Sequence, residues 1–468
     1  MSVAIHWFRR DLRLSDNTAL NSALSAHETV VPVYVASGWK GAHRWTGRGR
    51  QRFLCDALAS LAGGIAGAGG RLVVRAGDAV EELVTLIRQT KATALYTNRD
   101  PDPFGREVEE RLAFRTRELG VRLHLFKDVA MHERDEVLTG SGLPFRVFTP
   151  YSRAWAKLDK ASPVPSVTRM PVGPVLDSLP VPSLHHWGLE PDATSIPVAS
   201  EAAAALRLQR FLEGAVTRYS ARRDFPAVDG TSRISQDLRF GLLSIRQVYA
   251  GAAALLRELG PEQGRGVQVY INELCWREFY FQVLWHAPHV LEEEYSPAYR
   301  GLPWRHNPGD FERWCHGQTG FPIVDAGMRE LLATGFMHNR VRMITAMFLT
   351  KDLHQDWRAG ERWFMQHLLD GEIASNNGGW QWSAGTGTDA VPYFRIQNPW
   401  TQSERFDPDA VYIKRWVPEL RDVPAARLHQ PPASGLRFHW DYPLPMVDHG
   451  KERLVSLANY KAHLAKKA

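Results

Sequence analysis

Apolar positions in the first 130 residues follow two alternating patterns. Short, nearly continuous apolar runs are typical of strands buried on both faces of a parallel sheet. These runs are Ala4–Phe8, Val30–Val35, Arg71–Arg75 and Ala94–Tyr96. The stretches between them with helical spacing are Thr18–Leu24, Arg50–Leu61 and Ala79–Thr90. The alternation predicts an α/β domain with a doubly wound parallel sheet over residues 1–131.

The pattern changes twice further along the chain. Residues 132–200 lose their periodicity and contain many prolines, which predicts a long linker. From Glu201 the helical spacing returns and continues to about Lys414, with few strand signals. We therefore expect an all-α domain over residues 201–468, joined to the α/β domain by the linker.

A glycine-rich stretch, Gly63–Gly70, follows a predicted helix and precedes a predicted strand. A dinucleotide-binding glycine motif has the opposite order, strand before helix. The stretch therefore predicts a helix end and a turn rather than a nucleotide site.

Composition excludes several classes of protein. The chain has 468 residues, 44% of them hydrophobic and 23% charged, which is typical of globular proteins. No apolar run approaches the roughly 20 residues that span a membrane, and the N-terminus lacks the pattern of a signal peptide. Three widely separated cysteines and the absence of metal-ligand spacing predict neither a disulfide framework nor a metal site. We expect a cytoplasmic monomer.

Tryptophan is the unusual component. Eleven of the 16 tryptophans lie between Trp276 and Trp440. A large aromatic helical core explains this count, and so does a role for indole rings in stacking on bases or carrying electrons. The count does not separate the two interpretations. The net charge of +6 is weak evidence for a polyanionic partner.

The first candidate motif joins Arg222–Pro226 to Gly230–Ser235. Between Arg207 and Arg246 there are eight arginines, four acids and no lysine. Hydroxyls, backbone N–H groups and a guanidinium at a helix start can bind phosphate. A helix cap on a solvated basic face explains the same residues.

The second candidate motif is the helical stretch Val267–Phe281, in which Glu273, Trp276 and Arg277 share one face. A carboxylate beside an indole can bind the edge of a base while the ring packs on it. A surface Glu–Arg pair on an amphipathic helix is the alternative.

The third candidate region combines Gly335–Met343 with Leu369–Trp382. In the first part, Asn339, Arg342 and Met343 share a helix face. The second part holds paired Asn, paired Gly and two Trp residues in a helical surrounding. Polar side chains buried there are costly unless something satisfies them, which favours a ligand site over a structural turn.

Four motifs, in order, resemble the DNA photolyase/cryptochrome family, and the resemblance spans about residues 3–425. They are Trp7–Leu14, Gly230–Ser235, Asn272–Tyr280 and Asn376–Asp389. The chain is most similar to class I cyclobutane pyrimidine dimer photolyases. The resemblance implies a Rossmann-like antenna domain and a helical domain that binds FAD and DNA.

The resemblance also implies which residues contact FAD. The matching positions are Tyr219, Thr231, Ser232, Arg233, Ile234, Ser235, Tyr270, Arg277, Arg342, Asp370, Glu372 and Asn376. Tyr270 stands where many relatives carry Trp, and Glu372 replaces the commoner Asp. Asn376 matches the residue that faces the flavin N5 atom. Photolyases carry Asn there, whereas plant cryptochromes carry Asp and insect cryptochromes carry Cys.

The remaining implied roles concern DNA and electron transfer. Residues matching lesion contacts are Arg223, Glu273, Trp276, Asn339, Met343 and Trp382. Asn339 and Met343 replace two histidines of (6-4) photolyases, which implies cyclobutane dimers as substrate. Trp380, Trp357 and Trp304 match a chain of tryptophans that reduces the flavin in light; three core aromatics are the alternative.

Together these residues imply a deoxyribodipyrimidine photo-lyase that repairs UV-damaged DNA by electron transfer from excited, reduced FAD (FADH⁻) to a flipped-out dimer. Glu273, Asn376 and the three tryptophans are its implied catalytic residues. The alternative is a cryptochrome-type blue-light photoreceptor with the same fold and flavin. We also expect a second, antenna chromophore (folate, deazaflavin, FMN or FAD), which the sequence does not identify.

Overall fold

The computed structural model of the chain describes residues 2–38, 45–390, 392–433 and 436–467. The chain divides into two compact units. The first unit consists of Met1–Asp192, Pro197–Ser220 and Ser232–His286. The second unit consists of Ala193–Ile196, Ala221–Thr231 and Ala287–Ala468.

A five-stranded, all-parallel sheet organises the first unit. Its strands are β1 Val3–Phe8, β2 Thr29–Ala36, β3 Val73–Ala76, β4 Ala94–Asn98 and β5 Arg122–Phe126. The strand order is β3-β2-β1-β4-β5, and Ile5 of β1 pairs with both Val31 and Leu95. The order reverses between β1 and β4, as in doubly wound folds. The predicted parallel sheet is confirmed, although its fifth strand, β5, was not among the predicted runs.

Ten α-helices occur in the described residues up to His286. They are α1 Thr18–Ala26, α2 Arg48–Gly67, α3 Ala79–Thr90, α4 Pro103–Glu118, α5 Phe148–Lys157, α6 Glu201–Glu213, α7 Tyr219–Arg222, α8 Ser235–Phe240, α9 Ile245–Glu258 and α10 Pro261–His286. Leu83 and Leu112 pack in one buried cluster with Ile5, Val33 and Leu95 of the sheet. Apolar helix faces thus bury the apolar strands.

Two features of the first unit differ from the sequence pattern. Helix α2 continues through Gly63 and Gly64 to Gly67, and the turn comes only at Gly69, where φ is +91°. The helix tolerates these glycines because Phe53, Leu58 and Ile65 are buried along it. Helix α5 lies inside the proline-rich segment, and its buried Tyr151 and Trp155 explain why it forms there.

Nine further α-helices follow in the described part of the second unit. They are α11 Pro308–Cys315, α12 Pro322–Thr334, α13 Asn339–Met347, α14 Trp357–His367, α15 Ile373–Ala384, α16 Pro399–Phe406, α17 Val411–Trp416, α18 Ala425–Leu428 and α19 His449–Ala465. Trp314, Trp357 and Trp380 are buried at the centre of this unit's core.

One turn of this unit is a π-helix. Residues Phe348–Asp352 follow α13 directly, and the backbone N–H of Leu353 bonds to the carbonyl of Phe348, five residues earlier. A π-turn holds one residue more than an α-turn and is found often at functional sites. All five of its residues are buried, including the side chains of Lys351 and Asp352.

The α/β and helical composition agrees with the predicted fold class. The finer division into residues 1–131, 132–200 and 201–468 stays a prediction, because compactness alone does not mark the limits of a domain.

Candidate functional site

The candidate residues of the first unit include two tyrosines that lie together. The rings of Tyr219 and Tyr270 pack edge to face with centroids 5.4 Å apart, and both contact Phe211. Both tyrosines are buried, and burial raises the pKa of the Tyr270 phenol. The sequence motif therefore places two of its candidate residues in one aromatic cluster.

Ser232–Ser235 form a constrained loop before α8. Arg233 has φ of +48°, a left-handed conformation that costs energy for a residue other than glycine. The side chain of Gln236 donates a 2.7 Å hydrogen bond to the Arg233 carbonyl, and Ile234 is buried. The loop is thus held in one conformation, with the side chains of Arg233 and Ser235 exposed.

Helix α10 carries the second motif. Glu273, Trp276 and Arg277 lie on one face of it and are half-buried. The Trp276 ring stacks on Phe148 of α5, with centroids 3.6 Å apart and planes 7° from parallel. Phe148 covers one face of the indole, so a base can stack only on the other.

Arg277 extends in a different direction. Its Nη1 atom donates a 2.6 Å hydrogen bond to the carbonyl of Val129, and its guanidinium lies 4.7 Å from the centroid of Phe281. These contacts anchor α10 to the segment after β5. Arg277 therefore contributes to the packing of the first unit. The alternative of a surface Glu–Arg pair predicted no such contacts.

In the second unit, Arg342 and Asp370, two of the candidate FAD contacts, form an ion pair with each other. Arg342 Nη2 lies 2.9 Å and 3.2 Å from the two carboxylate oxygens of Asp370. Arg342 Nε also donates a 2.7 Å hydrogen bond to the carbonyl of Met337. The guanidinium is therefore fixed from two sides while its side chain stays one-quarter exposed.

Helix α15 contains both asparagines of the Asn-Asn-Gly-Gly sequence. Its N-cap residue is Glu372, which is buried. The Asn376 side-chain nitrogen donates a 3.1 Å hydrogen bond to the carbonyl of Glu361 on α14, which fixes the orientation of the amide. One turn further on, a Cβ atom added at Gly379 would meet nothing within 4 Å. The helix face of Asn376 and Gly379 is therefore open.

The neighbouring polar residues of α15 have a structural role. Asn377 Nδ2 donates to the carbonyl of Val290 and to the carboxylate of Glu361, both at 2.9 Å. Gln381 Nε2 donates to the carbonyls of Val290 and Glu293. The protein itself satisfies these buried amides. The expectation that a ligand satisfies the polar residues of this segment was therefore wrong for Asn377 and Gln381.

The three candidate relay tryptophans all belong to the second unit. Trp380 and Trp357 are buried, and Trp304 is half-buried at the edge of the same core. A Cβ atom added at Gly360 would lie 2.1 Å from the Trp380 ring. Gly360 follows Trp357 by one turn of α14 on the same face, so this helix brings Trp357 towards Trp380.

Arg340 lies near two of the candidate lesion contacts, Arg223 and Met343. Arg340 Nη2 pairs with Asp224 at 2.8 Å, and Arg223 Nε lies 3.8 Å from the same carboxylate. Arg340 Nη1 also donates to the sulfur of Met343 at 3.8 Å, and the exposed Asn339 begins the same helix. Sequence reasoning missed Arg340. The one signal for it in the sequence is its position between the candidates Asn339 and Arg342.

The remaining candidates, Thr231 and Trp382, are half-buried in the second unit. Trp382 lies on α15, two residues after Trp380.

Within the described ranges, no cluster of three or more His, Cys, Asp or Glu side chains could hold a metal ion. Over the same ranges, no helix is both long and apolar enough to cross a membrane.

Comparison with known families gives two matches. Residues 4–169 match the DNA photolyase model, and residues 270–462 match the model of the FAD binding domain of DNA photolyase. The two models together cover more than half of the chain. They support an FAD-binding helical region, as the resemblance implied.

Individual relatives extend over the whole chain. A deoxyribodipyrimidine photo-lyase of Agrobacterium fabrum is 39% identical over 98% of this chain and 97% of its own. A class III photolyase from Agrobacterium tumefaciens has a TM-score of 0.93 at 38% identity, covering 100% of this chain and 98% of its own. A Synechocystis cryptochrome has a TM-score of 0.88 at 28% identity, covering 98% and 99%. The predicted family and fold are confirmed: the chain belongs to the DNA photolyase family.

Proposed function

We propose that this chain uses light to split cyclobutane pyrimidine dimers in UV-damaged DNA. The observation that carries the proposal is the Arg342–Asp370 pair beside the open face of α15 that bears Asn376. Relatives named deoxyribodipyrimidine photo-lyase support the same activity. We place the chain with the enzymes that act on cyclobutane dimers; its photolyase class stays a prediction.

The second unit fits the flavin of the family. Gly379 leaves space that a Cβ atom would fill, and Asn376 presents an amide held by the Glu361 carbonyl. Reduced FAD, when bound, supplies an electron after it absorbs light. Arg342 places a fixed positive charge in this region, which stabilises an anionic ring, while Asp370 keeps the guanidinium in place. Glu372 supplies a further carboxylate at the start of α15.

In the first unit we assign the phosphate side of FAD to the constrained loop and the tyrosine cluster. Ser232, Arg233, Ile234 and Ser235 offer backbone N–H groups, hydroxyls and a guanidinium, which are suited to bind phosphate. Tyr219, Tyr270 and Arg277 support this region, and in the second unit Thr231 carries a further hydroxyl. The left-handed Arg233 fixes the loop in advance of binding.

Repair requires the dimer to leave the duplex. A damaged pair stacks and pairs poorly, so its extrusion costs less than that of normal bases. In the first unit, Trp276 offers the ring face opposite Phe148, and Glu273 offers a hydrogen-bond acceptor. In the second unit, Arg223 and Arg340 supply positive charge for the DNA backbone, and Asn339, Met343 and Trp382 supply contacts to the bases.

We assign the relay of electrons to Trp380, Trp357 and Trp304. Their order is the one that the resemblance implies, and burial supports the outer position of Trp304, because Trp380 and Trp357 are buried and Trp304 is half-buried. Helix α14 supports the first step, because Gly360 packs directly on Trp380 one turn from Trp357. No protein acid or nucleophile is needed for a reaction that moves an electron out and back.

Two experiments test the activity against its alternatives. Reduced holoprotein is illuminated with an oligonucleotide that contains a thymine dimer, and the recovery of thymine absorbance is followed. A cryptochrome-type photoreceptor restores no thymine. If thymine absorbance does not recover, the photoreceptor function is favoured and the proposed repair activity is wrong. Competition between damaged and undamaged duplex at fixed salt then tests for a nonspecific DNA-binding protein, since phosphate contacts alone do not discriminate.

Asn376→Asp separates the two flavoprotein classes at one position. We expect faster oxidation of the reduced protein in the variant, because a carboxylate disfavours a nearby anion. Equal oxidation rates would contradict the assignment of Asn376.

The monomeric state, the cytoplasmic location and the antenna chromophore stay predictions. Absorption spectra and chromatography of the released chromophores would identify the antenna chromophore.

A further inference from the structure

A chain of hydrogen bonds connects α6 with the constrained loop Ser232–Ser235. Its central member is Asp237 on α8, whose side chain is fully buried. The guanidinium of Arg207, on α6, donates to both oxygens of this carboxylate, at 2.6 Å from Nη2 and 2.9 Å from Nε. The Nε2 atom of Gln236 donates to one of the same oxygens at 3.0 Å. These three hydrogen bonds fix the orientation of the carboxylate.

Gln236 extends this chain of hydrogen bonds to the loop. Its side chain is buried, and the same Nε2 atom donates the 2.7 Å hydrogen bond to the Arg233 carbonyl. Both N–H groups of the amide are therefore used, and the reverse orientation would place the amide oxygen against two acceptors. Asp237 thus orients Gln236, and Gln236 fixes the position of the Arg233 carbonyl.

The backbone changes hand at the residue that Gln236 holds. Arg233 has a φ of +48°, whereas Ile234 has a φ of −109° and a ψ of 10°. Successive residues of opposite hand turn their backbone N–H groups to one side, and such a concavity binds anions. A left-handed residue with a Cβ atom favours a return to negative φ, because the Cβ atom crowds the following carbonyl. The hydrogen bond from Gln236 therefore opposes the loss of this conformation.

Arg207 acts on the loop through other protein groups. It is the first arginine of the arginine-rich segment between Arg207 and Arg246, and its side chain is one-fifth exposed. Besides the carboxylate of Asp237, it binds the carbonyl of Val198, to which Nη2 donates at 3.1 Å. Its Nε and Nη2 atoms are thus engaged by the protein, so its contribution to a ligand is indirect.

We propose that Arg207, Asp237 and Gln236 are positioning residues for the phosphates of FAD. This inference rests on the proposed assignment of the phosphate side of FAD to the loop Ser232–Ser235. The three residues act through the Arg233 carbonyl and hold the loop in its binding conformation before FAD arrives. Binding then does not have to order the loop, which increases the affinity for FAD.

The arrangement depends on the charge of Asp237. Burial raises the pKa of this carboxyl group from 3.8 to about 6, although the hydrogen bonds from Arg207 and Gln236 favour the ionised form. The ionised carboxylate accepts all three hydrogen bonds, whereas a proton on it occupies an acceptor site and weakens the attraction of Arg207. The affinity for FAD should therefore be complete above the pKa and fall as pH falls through 6.

Other charged groups lie near α8. Arg207 is the charged group that faces the Asp237 carboxylate from α6. The remaining charged groups lie on α8 itself and on the segments after β1 and β4: Arg239, Arg10, Asp11, Arg13, Asp100 and Asp102. Burial raises the pKa of Asp102 to about 7, so it titrates close to Asp237. Comparison with Asp237→Asn separates the two titrations, because Asp102 is unchanged in that variant.

The release of FAD from the holoprotein tests the proposal. The rise of flavin fluorescence after dilution gives the release rate. In Gln236→Leu we expect release to be about threefold to tenfold faster, which corresponds to the loss of one neutral hydrogen bond. Gln247→Leu is the matched control, because the amide of Gln247 bonds to Ser244 and Ser15 at the start of α9. The control should release FAD at the wild-type rate.

The pH profile of release separates positioning from a purely structural role. Wild-type release should accelerate as pH falls through 6, whereas Asp237→Asn should release FAD rapidly at every pH. A structural role would lower the free energy of unfolding of Asp237→Asn but leave the release rate and its pH profile as in the wild type, and this result would overturn the inference. A wild-type profile without a step near 6 would also overturn it, even where a variant fails to fold.

Two further variants separate this inference from the proposed function. Release rates unchanged by both Arg233→Ala and Ser235→Ala would overturn the assignment of the loop to the phosphates of FAD. Faster release in these two variants, with wild-type release in Gln236→Leu, would leave that assignment intact and overturn the positioning role alone.

Discussion

The indole N–H of Trp357 donates a 3.2 Å hydrogen bond to the carboxylate of Glu294. Trp357 is fully buried, and Glu294 is 2% exposed. Arg358 holds the other carboxylate oxygen at 3.1 Å. By contrast, the Nε1 atoms of Trp380 and Trp304 find no acceptor within the described ranges. Of the three tryptophans assigned to the relay, Trp357, the middle one, is therefore the one whose N–H group contacts a buried carboxylate.

Glu294→Gln should slow the light-driven reduction of the flavin. A hydrogen bond to a charged group contributes about 1.5–3 kcal/mol, so we expect a slowing of roughly tenfold or more. Repair by protein that is reduced beforehand should not change, because it does not use the relay. Glu293→Gln is the matched control, since Glu293 is exposed and pairs with Arg300. Equal photoreduction in both variants would refute the role of Glu294.

Gly360→Ala should destabilise the second unit. The added Cβ atom would lie 2.1 Å from the Trp380 ring and 2.7 Å from a methyl of Leu349. Overpacking of this kind costs about 1–3 kcal/mol, against a helix-propensity gain of about 1 kcal/mol. Denaturant unfolding measures the difference. Gly63→Ala in α2 is the control, because its added Cβ atom would have no neighbour within 4 Å, and this variant should be neutral or stabilising. Equal free energies of unfolding for the two variants would disprove the packing argument.

Arg342→Ala should lower the affinity for FAD. The variant loses the guanidinium that Asp370 and the Met337 carbonyl position, and leaves the Asp370 carboxylate without this partner. Loss of a charged hydrogen bond weakens binding by roughly tenfold to a hundredfold. FAD content and titration with free FAD give the result. Arg329→Ala, which breaks a pair with Glu419, is the control; a similar loss of FAD there would indicate general destabilisation.

Lys351→Met should remove a pH dependence of stability. Burial lowers the pKa of Lys351 from 10.5 to about 7. Between these values the unfolded chain binds more protons, so wild-type stability rises with pH across this window. The methionine variant should lack this rise and be more stable at pH 7 by a few kcal/mol. Lys461→Met, at an exposed position of α19, should retain the wild-type slope. A retained slope in Lys351→Met would show that the lysine is charged in the folded protein.

Sequence reasoning succeeded where local signals agree. Helix α3 begins and ends at the predicted residues, because Asp78 caps its first turn and Lys91 ends it in a left-handed conformation. Four of the five parallel strands were predicted from their apolar runs, since burial on both faces leaves little choice of residue. Strand β5 was not predicted, because none of its residues is fully buried. The four motifs that identified the family could be read locally, because each of them is contiguous. The roles assigned to the site residues stay predictions.

Sequence reasoning failed where a partner lies far along the chain. Arg340 gains its role from Asp224, and Asn377 loses its apparent link to a ligand because Val290 and Glu361 satisfy it. Helix α5 was not predicted, since the prolines around it hide the buried Tyr151 and Trp155. These contacts join segments that no local pattern connects.

Because Phe348–Asp352 form a π-turn, the number of residues in this turn decides where the side chains after it point. Each residue of an α-helix rotates the chain by about 100°, so a single deletion would restore ordinary winding and swing the following side chains around the axis. Lys351, whose Nζ atom lies 3.7 Å from the centroid of the Tyr460 ring, would then leave that ring although both residues remained present. A homologue that lacks one residue here is therefore expected to lose this contact.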